Sequence, residues 1–282
     1  MFKIVEKRSL NSSMTLMVVE APYIAKKAKA GQFIILRVNE KGERIPLTIA
    51  DYDRQAGTVT IIFQLVGKTT MMLNQLNKGD AILDFIGPLG KASELEGHER
   101  VAVIGGGAGC AIAYPQAKSL HAMGAKVDMI AGFRNKDLII LEDEMKAASE
   151  NLYLMTDDGS NGNKGFVTTA LQENIDNGVT YDLVVAIGPL PMMRAVCEIT
   201  KQAGIKTIIS MNSIMIDGTG MCGCCRLTVG GKTKFACVDG PDFDGHQVDF
   251  DEAMKRGATY KKQERKAAEE YKCHLFEGVD NA

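Results

Sequence analysis

Several features that would assign this sequence to common classes of protein are missing from it. The formal net charge is only −2 over 282 residues and the pI is about 6.1, which gives no electrostatic basis for binding nucleic acid or an anionic membrane. No apolar run approaches the roughly 20 residues that a transmembrane helix needs. The N-terminus mixes charged and apolar residues from the start, unlike a signal peptide. We therefore expect a soluble, cytoplasmic protein without a nucleic-acid or membrane partner.

The cysteines and histidines also exclude some kinds of chemistry. There are seven cysteines, and an odd number without a secretory leader argues against a disulfide framework. Free thiols suit the reducing cytoplasm. The four histidines are scattered, and no Ser/His/Asp set or pair of carboxylates indicates acid–base or nucleophilic catalysis. No catalytic side chain is predicted.

The first part of the chain, residues 1–98, reads as short strands. An apolar fraction of 45% and the chain length predict about two domains, each with a sizeable core. Segments rich in β-branched residues alternate apolar and polar positions between glycines, which is typical of an antiparallel barrel. These segments are 14–19, 32–38 and 58–66. A short helix is expected after Gly67, with hydroxyl residues able to cap it.

From residue 99 to 210 the pattern changes to alternating strands and helices. This alternation predicts a parallel sheet with helices on both faces. Strands are expected at 101–104, 126–133, 152–155, 183–187 and 208–210, and helices at 108–123, 138–150, 167–172 and 192–204. The predicted fold class is therefore a β-barrel followed by a Rossmann-like α/β domain.

Residues 211–250 contain the most specific motif of the sequence. Four cysteines fall within sixteen positions, and Asp217, Cys222, Cys225 and Cys237 give the spacing D-x4-C-x2-C-x11-C. This matches the C-x4-C-x2-C…C pattern of plant-type 2Fe–2S proteins, with a carboxylate in place of one thiolate. Cys224 could be the fourth ligand instead of Asp217, although two adjacent cysteines would then have to bind. A zinc site is the main alternative, but it usually has two separated cysteine pairs.

The rest of the C-terminal part is expected to support this cluster. A hairpin that turns at Gly230 and Gly231 would bring Cys237 back toward Cys225. Residues 251–282 form a charged tail, helical in pattern as far as 272, which could wrap a partner or lie as a solvated helix.

Two glycine-rich turns predict a dinucleotide site. The turn Gly105, Gly106, Gly107, Ala108 and Gly109 lies between a buried strand and a helix, where a pyrophosphate binds to free N–H groups. A second turn contains Gly188, Pro189 and Met192 and also follows a buried strand. Arg134 could favour a 2′-phosphate and the nearby Asp137 a ribose hydroxyl, so this pair does not decide between NAD and NADP.

A further motif connects these turns to a known family. Arg44-Ile-Pro-Leu-Thr48 is followed by Gly67-Lys-Thr-Thr70, then by the two glycine turns. This order resembles the ferredoxin–NADP reductase superfamily. With the cysteine segment added, the chain resembles the electron-transfer subunits of class B dihydroorotate dehydrogenases. It is still more similar to the small (alpha) subunits of NADH-dependent reduced ferredoxin:NADP oxidoreductases, also called sulfide dehydrogenase beta subunits, because Asp217 stands where the dihydroorotate enzymes have cysteine.

The resemblance implies a role for each motif. FAD would be bound by Arg44, Pro46, Leu47, Thr48, Gln64, Leu65, Val66, Gly67, Thr69 and Thr70. NAD(H) would be bound by Gly105, Gly106, Gly107, Ala108, Gly109, Gly188, Pro189 and Met192. A 2Fe–2S cluster would be held by Asp217, Cys222, Cys225 and Cys237.

The resemblance also implies an enzyme that works with a partner. The partner would be a larger subunit with a second flavin and 4Fe–4S clusters, which contacts ferredoxin, and the heterodimer would perform electron bifurcation. Two alternatives are kept: an electron-transfer subunit of dihydroorotate dehydrogenase, and a zinc-stapled regulatory module.

Overall fold

The protein, seen in a computed structural model, is described over residues 1–277 and contains two large sheets and a short hairpin. The strands are β1 Phe2–Ser9, β2 Met14–Glu20, β3 Phe33–Arg37, β4 Ile45–Asp53, β5 Thr58–Gln64, β6 Ala81–Ile82, β7 Asp84–Leu89, β8 Arg100–Gly106, β9 Lys126–Phe133, β10 Asn151–Thr156, β11 Leu183–Ile187, β12 Thr207–Ser210, β13 Arg226–Val229, β14 Lys232–Phe235 and β15 Asp242–Asp244. The helices are α1 Pro22–Lys27, α2 Lys68–Gln75, α3 Cys110–Ala122, α4 Glu142–Ala147, α5 Val167–Asp176, α6 Leu190–Gln202, α7 Ala236–Asp239, α8 Phe250–Gly257 and α9 Lys261–Glu277. None of these helices combines the length and apolar character that a membrane crossing needs.

The first sheet is antiparallel and has seven strands in the order β6-β1-β2-β5-β4-β3-β7. This confirms the predicted near-barrel and its three predicted strands. Its own core contains Ile4, Met17, Ile34 and Leu36, all with no exposed surface. The motif with Pro46 and Thr48 lies on β4, which pairs with β3.

The second sheet has the order β10-β9-β8-β11-β12-β15. The first five strands are parallel, which confirms the predicted α/β arrangement. The helix expected at 138–150 is shorter and begins at Glu142, because Leu141 before it has a left-handed φ of 53° that no continuous helix allows. The carboxyl ends of β8, β9 and β11 all lie at the same edge of this sheet.

The cluster segment is attached to the second sheet. The hairpin β13–β14 turns at the predicted glycines, Gly230 and Gly231. Beyond it, β15 pairs antiparallel with β12, so residues of the segment extend the sheet by one strand. The helical tail is divided into α8 and α9 by a turn at residues 258–260, and α9 lies beside α2 of the barrel. The predicted tail from 278 onward lies outside the described residues.

One apolar core connects the three parts of the molecule. It contains Phe33 and Ile35 of the barrel, Ile104 of the second sheet, and Cys225 and Cys237 of the cluster segment. Close-packed interiors have low compressibility and transmit strain, so a shared core holds these parts in one arrangement. The fold therefore brings the three predicted cofactor regions next to each other.

Candidate functional site: a cleft between the barrel and the second sheet

A cleft of about 1090 Å³ lies where the barrel faces the carboxyl edge of the second sheet. Both sides contribute residues that the sequence motifs single out. Of the predicted cofactor residues, the lining includes Pro46, Leu47, Thr48, Gln64, Gly106, Gly107, Ala108, Gly109, Gly188, Pro189 and Met192. The remaining predicted residues, Arg44, Leu65, Val66, Gly67, Thr69, Thr70 and Gly105, are outside this lining. A cleft of this size and apolar character is suited to a cofactor with a large ring.

The barrel side of the cleft is formed by β4 and β5. Pro46, Leu47 and Thr48 are half-buried on β4, and Gln64 ends β5 beside them. Phe33 from β3 completes this wall. Flat apolar surface with one hydroxyl and one amide fits the isoalloxazine ring that the resemblance implies, because such a ring needs both stacking area and hydrogen bonds at its edge.

The N-terminal turn of α2 lies next to this wall. The Thr70 hydroxyl accepts a hydrogen bond from the Gly67 N–H (3.1 Å) and donates one to the Gly67 carbonyl (2.9 Å), which closes the first turn. The hydroxyl of Thr69 lies 3.4 Å from the Glu43 carboxylate, so the Arg44 segment adjoins this turn. Gly67, Thr69 and Thr70 of the predicted diphosphate residues are thus brought together outside the cleft, with the Glu43 carboxylate beside Thr69.

The first glycine turn connects β8 to α3 at the floor of the cleft. Gly107 has a φ of 55° and open space where a side chain would stand, as a backbone cradle for phosphate requires. At Gly109, an added Cβ atom would lie 2.3 Å from the Ile187 carbonyl oxygen. Only glycine therefore allows α3 to start this close to β11. The geometry fits a dinucleotide pyrophosphate, and Gly105 supports it as the buried end of β8.

The second turn lies directly beside the first. A Cβ atom on Gly106 would lie 2.4 Å from the Met192 sulfur, and one on Gly188 would lie 2.7 Å from the Met192 methyl carbon. Met192 therefore covers both glycines from α6. Sequence reasoning missed the residues at the end of β12 and just after it, among them Ser210, Met211 and Asn212, which also line the cleft. Their position at the end of a predicted parallel strand was the available signal.

The charged residues at the outer end of the cleft differ from those considered in the sequence. Arg134 lines the cleft, as the prediction requires. Asp137 does not, since it belongs to a separate depression near β10. The carboxylate in the cleft is that of Asp157, which follows β10 at the edge next to Arg134. The sequence pattern missed it because β10 and β9 are neighbours only in the folded sheet.

The cysteine loop is arranged round two buried thiols. The Sγ atoms of Cys225 and Cys237 are 3.2 Å apart, which confirms that the hairpin returns Cys237 to Cys225. Cys222 is exposed and Cys224 is half-buried. Asp217 accepts hydrogen bonds from the N–H groups of Thr219 (2.8 Å) and Cys222 (2.9 Å), which closes the loop on itself.

The loop environment opposes charge on the thiols and favours it on the carboxylate. Burial, together with the Cys225 thiol, raises the pKa of Cys237 to about 12, and burial also raises the pKa of Cys224. The hydrogen bond from the Thr219 N–H lowers the pKa of Asp217. Since cluster ligands are thiolates, loading this site would release protons from the cysteines.

The donor set suits an iron–sulfur cluster, but the structure does not choose its ligands. The predicted donors are three soft thiols and a carboxylate, and the loop that carries Asp217, Cys222 and Cys225 has left-handed φ angles at Gly218, Gly220 and Gly223. Within residues 1–277, no group of three or more His, Cys, Asp or Glu side chains is placed to hold a metal ion. The assignment of Asp217, Cys222, Cys225 and Cys237 therefore stays a prediction from the spacing.

Two family models match parts of the chain. Residues 103–198 match an oxidoreductase NAD-binding domain. Residues 212–249 match the iron–sulfur cluster binding domain of dihydroorotate dehydrogenase B. These ranges contain the two glycine turns and the four predicted cluster ligands, so both matches fall on the sites built above.

Individual proteins match over nearly the whole chain. A Clostridium beijerinckii protein, described as an uncharacterized protein in the adh 3′ region, is 53% identical over 95% of this chain and 93% of its own length. A Thermotoga maritima homolog of the dihydroorotate dehydrogenase B (NAD(+)) electron transfer subunit is 44% identical over 95% of both chains. A solved chain of NADH-dependent reduced ferredoxin-NADP oxidoreductase, studied for flavin-based electron bifurcation, is 43% identical with a TM-score of 0.90, over 95% of this chain and 97% of that one.

Proposed function

We propose that this chain passes electrons between NAD(H), FAD, a 2Fe–2S cluster and a larger partner subunit. The chain belongs to the family of dihydroorotate dehydrogenase B electron transfer subunits and their homologues, within the ferredoxin–NADP reductase superfamily. It is a flavin-dependent oxidoreductase subunit with NAD-binding and iron–sulfur domains. The observation that carries the proposal is the cleft, because one space joins the β4 motif to both glycine turns.

FAD would be held by the barrel, residues 1–98. Pro46 and Leu47 would flank the ring, and the Thr48 hydroxyl would bond its edge. Gln64 would border the ribityl chain together with Leu65 and Val66. Arg44, Gly67, Thr69 and Thr70 would bind the diphosphate beside the first turn of α2, with the helix N–H groups and the Arg44 cation as its partners.

NAD(H) would be held by residues 99–210. The backbone of the turn from Gly105 to Gly109 would receive the pyrophosphate, and Gly188, Pro189 and Met192 would border the nicotinamide. Because the two walls line one cleft, the barrel residues would hold the flavin ring and the turn residues would hold the nicotinamide in the same space. The chain's contribution is orientation and exclusion of water, and no acid–base residue is required.

The cluster would be held by residues 211–250, with residues 251–282 as the tail. When bound, the flavin supplies the change from hydride chemistry to single-electron transfer, and the cluster supplies a one-electron outlet. The N–H groups of the glycine-rich loop would stabilise the cluster sulfurs. The apolar core round Cys225 and Cys237 would exclude water from it.

The partner would be a larger subunit with its own flavin and 4Fe–4S clusters, located with this chain in the cytoplasm. Three points support it: relatives of this chain are electron transfer subunits, one solved relative belongs to a ferredoxin-NADP oxidoreductase, and the electrons need an acceptor outside this chain. The heterodimer would connect NADH and NADPH to ferredoxin through flavin-based electron bifurcation.

Cofactor content tests the proposal. The protein is purified without oxygen from its own host, and flavin, iron, acid-labile sulfide and zinc are measured. We expect one FAD and a 2Fe–2S absorbance spectrum. A colourless protein that contains zinc instead would support a zinc-stapled module and overturn the proposal.

A second function, electron transfer for dihydroorotate oxidation, is favoured by the names of relatives such as the Thermotoga homolog. Asp217 argues against it, because the dihydroorotate enzymes have a similar loop in which a cysteine stands at this position. Native mass spectrometry of the purified complex distinguishes the two functions. A partner that carries 4Fe–4S clusters supports electron bifurcation, and a partner that binds dihydroorotate supports the second function.

A further inference from the structure

A buried polar group connects all three parts of the molecule behind the wall of the cleft. Asp242, the first residue of β15, receives a hydrogen bond from the Ser93 hydroxyl in the segment after the barrel. The Gln116 amide of α3 donates to the same oxygen, Oδ2, at 3.4 Å. The Ser210 hydroxyl, at the end of β12, also faces this carboxyl group. We call Ser93, Gln116, Ser210 and Asp242 the Asp242 hub.

The backbones round the hub are in close contact. The Lys91 N–H donates to the Gly240 carbonyl at 2.7 Å, and the Met211 N–H donates to the Pro241 carbonyl at 2.9 Å. At Gly90, an added Cβ atom would lie 3.0 Å from the Gly240 oxygen. The barrel, the second sheet and the cluster segment therefore meet at this point. A change in the Asp242 hub would therefore alter the packing of all three parts.

Two acceptor atoms in the hub have no donor. Asp242 Oδ1 and Gln116 Oε1 are both inaccessible to solvent and both lack a hydrogen-bond partner, although Asp242 as a residue is partly exposed. Rotating the Gln116 amide by 180° would not help, since it would place the Oε1 acceptor against Asp242 Oδ2, which is also an acceptor, where the amide nitrogen now donates. A buried unsatisfied acceptor is costly, and here two occur in one cluster.

Among the residues that the structure describes, no positive charge compensates a carboxylate at this position. The groups that face Asp242 are two hydroxyls and an amide, which are all uncharged. On the contributing elements, Lys91 is exposed, Lys118 is paired with Asp51, and the Asp244 carboxylate accepts bonds within its own turn. Burial raises the pKa of Asp242 above the usual range of an aspartate. An ionised carboxylate here would be a buried charge without a partner.

We propose that Asp242 keeps its proton in the folded protein and donates a hydrogen bond from Oδ1 to the Gln116 Oε1 atom. The Asp242 hub is then uncharged and joins the flavin barrel, the nucleotide sheet and the cluster segment. We call this arrangement the neutral lock. With this proton Asp242 Oδ1 becomes a donor and Gln116 Oε1 gains a hydrogen bond, so neither atom is left without a partner. Asp242 then acts as a positioning residue. Ser210 and Pro241 line the cleft, so the lock sets the position of the wall that separates the cleft from the cluster segment.

Infrared spectroscopy of the intact holoprotein at neutral pH tests the proposal. We expect the carbonyl stretch of a protonated carboxyl group in the wild type and its loss in Asp242→Asn. In Ser93→Ala the band should remain but move to higher frequency, because the carbonyl oxygen loses a donor. This second variant keeps the test available if Asp242→Asn fails to fold. A wild-type spectrum without the band shows an ionised carboxylate and overturns the proposal.

The pH dependence of stability gives a second test. A purely structural role of Asp242 would not make its contribution to stability change with pH. A carboxyl group with a raised folded pKa binds more protons in the folded state than in the unfolded state, above the ordinary aspartate value of about 3.9. Its contribution to stability is complete below that value and is lost as pH rises through the folded pKa. The melting temperature of the wild type minus that of Asp242→Asn should therefore decrease as pH rises. A difference independent of pH would contradict the neutral lock.

Electron transfer provides the functional readout. Asp242→Asn keeps a donor for Gln116 and an acceptor for Ser93, so NADH should reduce its flavin and cluster at rates close to those of the wild type. Asp242→Ala removes the lock and should slow reduction of the cluster at least severalfold, with flavin reduction less affected. Equal cluster reduction in all three proteins would exclude a positioning role.

Discussion

Asp217 is the one carboxylate among the four predicted cluster ligands. Its two oxygens accept N–H bonds from Thr219 and Cys222, and each oxygen still has a second lone pair. A carboxylate with a lowered pKa is ionised at neutral pH and can bind iron without losing a proton first. Burial raises the pKa of the neighbouring Cys224 thiol, as it does that of Cys237, so either thiol would have to lose a proton to bind iron.

Substitutions at these two positions identify the fourth ligand. We expect Asp217→Ala to lower the iron and sulfide content severalfold, because the cluster loses a ligand and the loop loses two hydrogen bonds. Cys224→Ala is the matched control and should retain the cluster. Asp217→Cys should also retain it, with an altered spectrum. Full iron content and an unchanged spectrum in Asp217→Ala, measured by iron analysis and electron paramagnetic resonance, would refute the ligand assignment.

Asp157 is the residue that we expect to influence the choice between NADH and NADPH. Its carboxylate lines the cleft beside Arg134 and would repel a 2′-phosphate, whereas it could accept a bond from a ribose hydroxyl. Asp157→Asn should shift the ratio of the two dissociation constants toward NADPH by about tenfold, which corresponds to roughly 1.4 kcal/mol. Asp137→Asn, outside the cleft, is the control. Equal shifts in both variants, measured by titration calorimetry, would argue against this role.

Among the secondary-structure elements, β8, β9, β10 and α5 are linked by a buried carboxylate at the sheet edge opposite the cleft. Asp128 of β9 accepts hydrogen bonds from Tyr181 (2.8 Å), Arg100 (3.0 Å) and Asn151 (2.8 Å). Asn174 of α5 donates to the Tyr181 hydroxyl at 3.0 Å. Here, unlike at Asp242, an arginine compensates the buried charge.

Removing the Tyr181 hydroxyl should destabilise the second sheet without changing the cleft. We expect Tyr181→Phe to cost about 1–3 kcal/mol, because Asp128 and Asn174 each lose a buried partner. For a chain of this size this corresponds to a fall of about 2–4 °C in melting temperature per kcal/mol. Tyr23→Phe, at a position that is 87% exposed, should be neutral. If calorimetry gives Tyr181→Phe and Tyr23→Phe the same melting temperature, this account of the network is contradicted.

Elements with a strong pattern were predictable from the sequence, and elements defined by their neighbours were not. The strands β2, β5, β9 and β11 have long apolar or alternating runs, and the hairpin β13–β14 has a Gly-Gly turn. By contrast, β15 has three residues and exists only because β12 offers an unpaired edge. The break between α8 and α9 interrupts a continuous charged pattern that no proline marks.

The candidate site divides in the same way. Residues in motifs, such as Thr48 and Gly107, were found because each motif is local in the sequence. Asp157 and Ser210 were missed because they reach the cleft from strands that become neighbours only after folding. The Asp242 hub could not be predicted at all, since its members come from four separate elements.

Over the whole molecule, the arrangement of the parts in space, and not their order along the chain, suits the proposed order of electron transfer. The barrel and the second sheet face each other across the cleft, and the cluster loop shares a core with both. Ion pairs such as Lys118 with Asp51, at 2.7 Å, also connect the second sheet to the barrel. The shared core and the common cleft thus place the three predicted cofactor regions next to one another, as the proposed route requires.

Anaerobic titration of the purified holoprotein with NADH tests this central claim most directly. Flavin is followed by its visible absorbance and the cluster by electron paramagnetic resonance in the same samples. We expect NADH to bleach the flavin and to produce the signal of a reduced 2Fe–2S cluster within a single chain. Bleaching of the flavin while the cluster stays oxidised at every NADH concentration, although dithionite reduces it fully, would contradict the account.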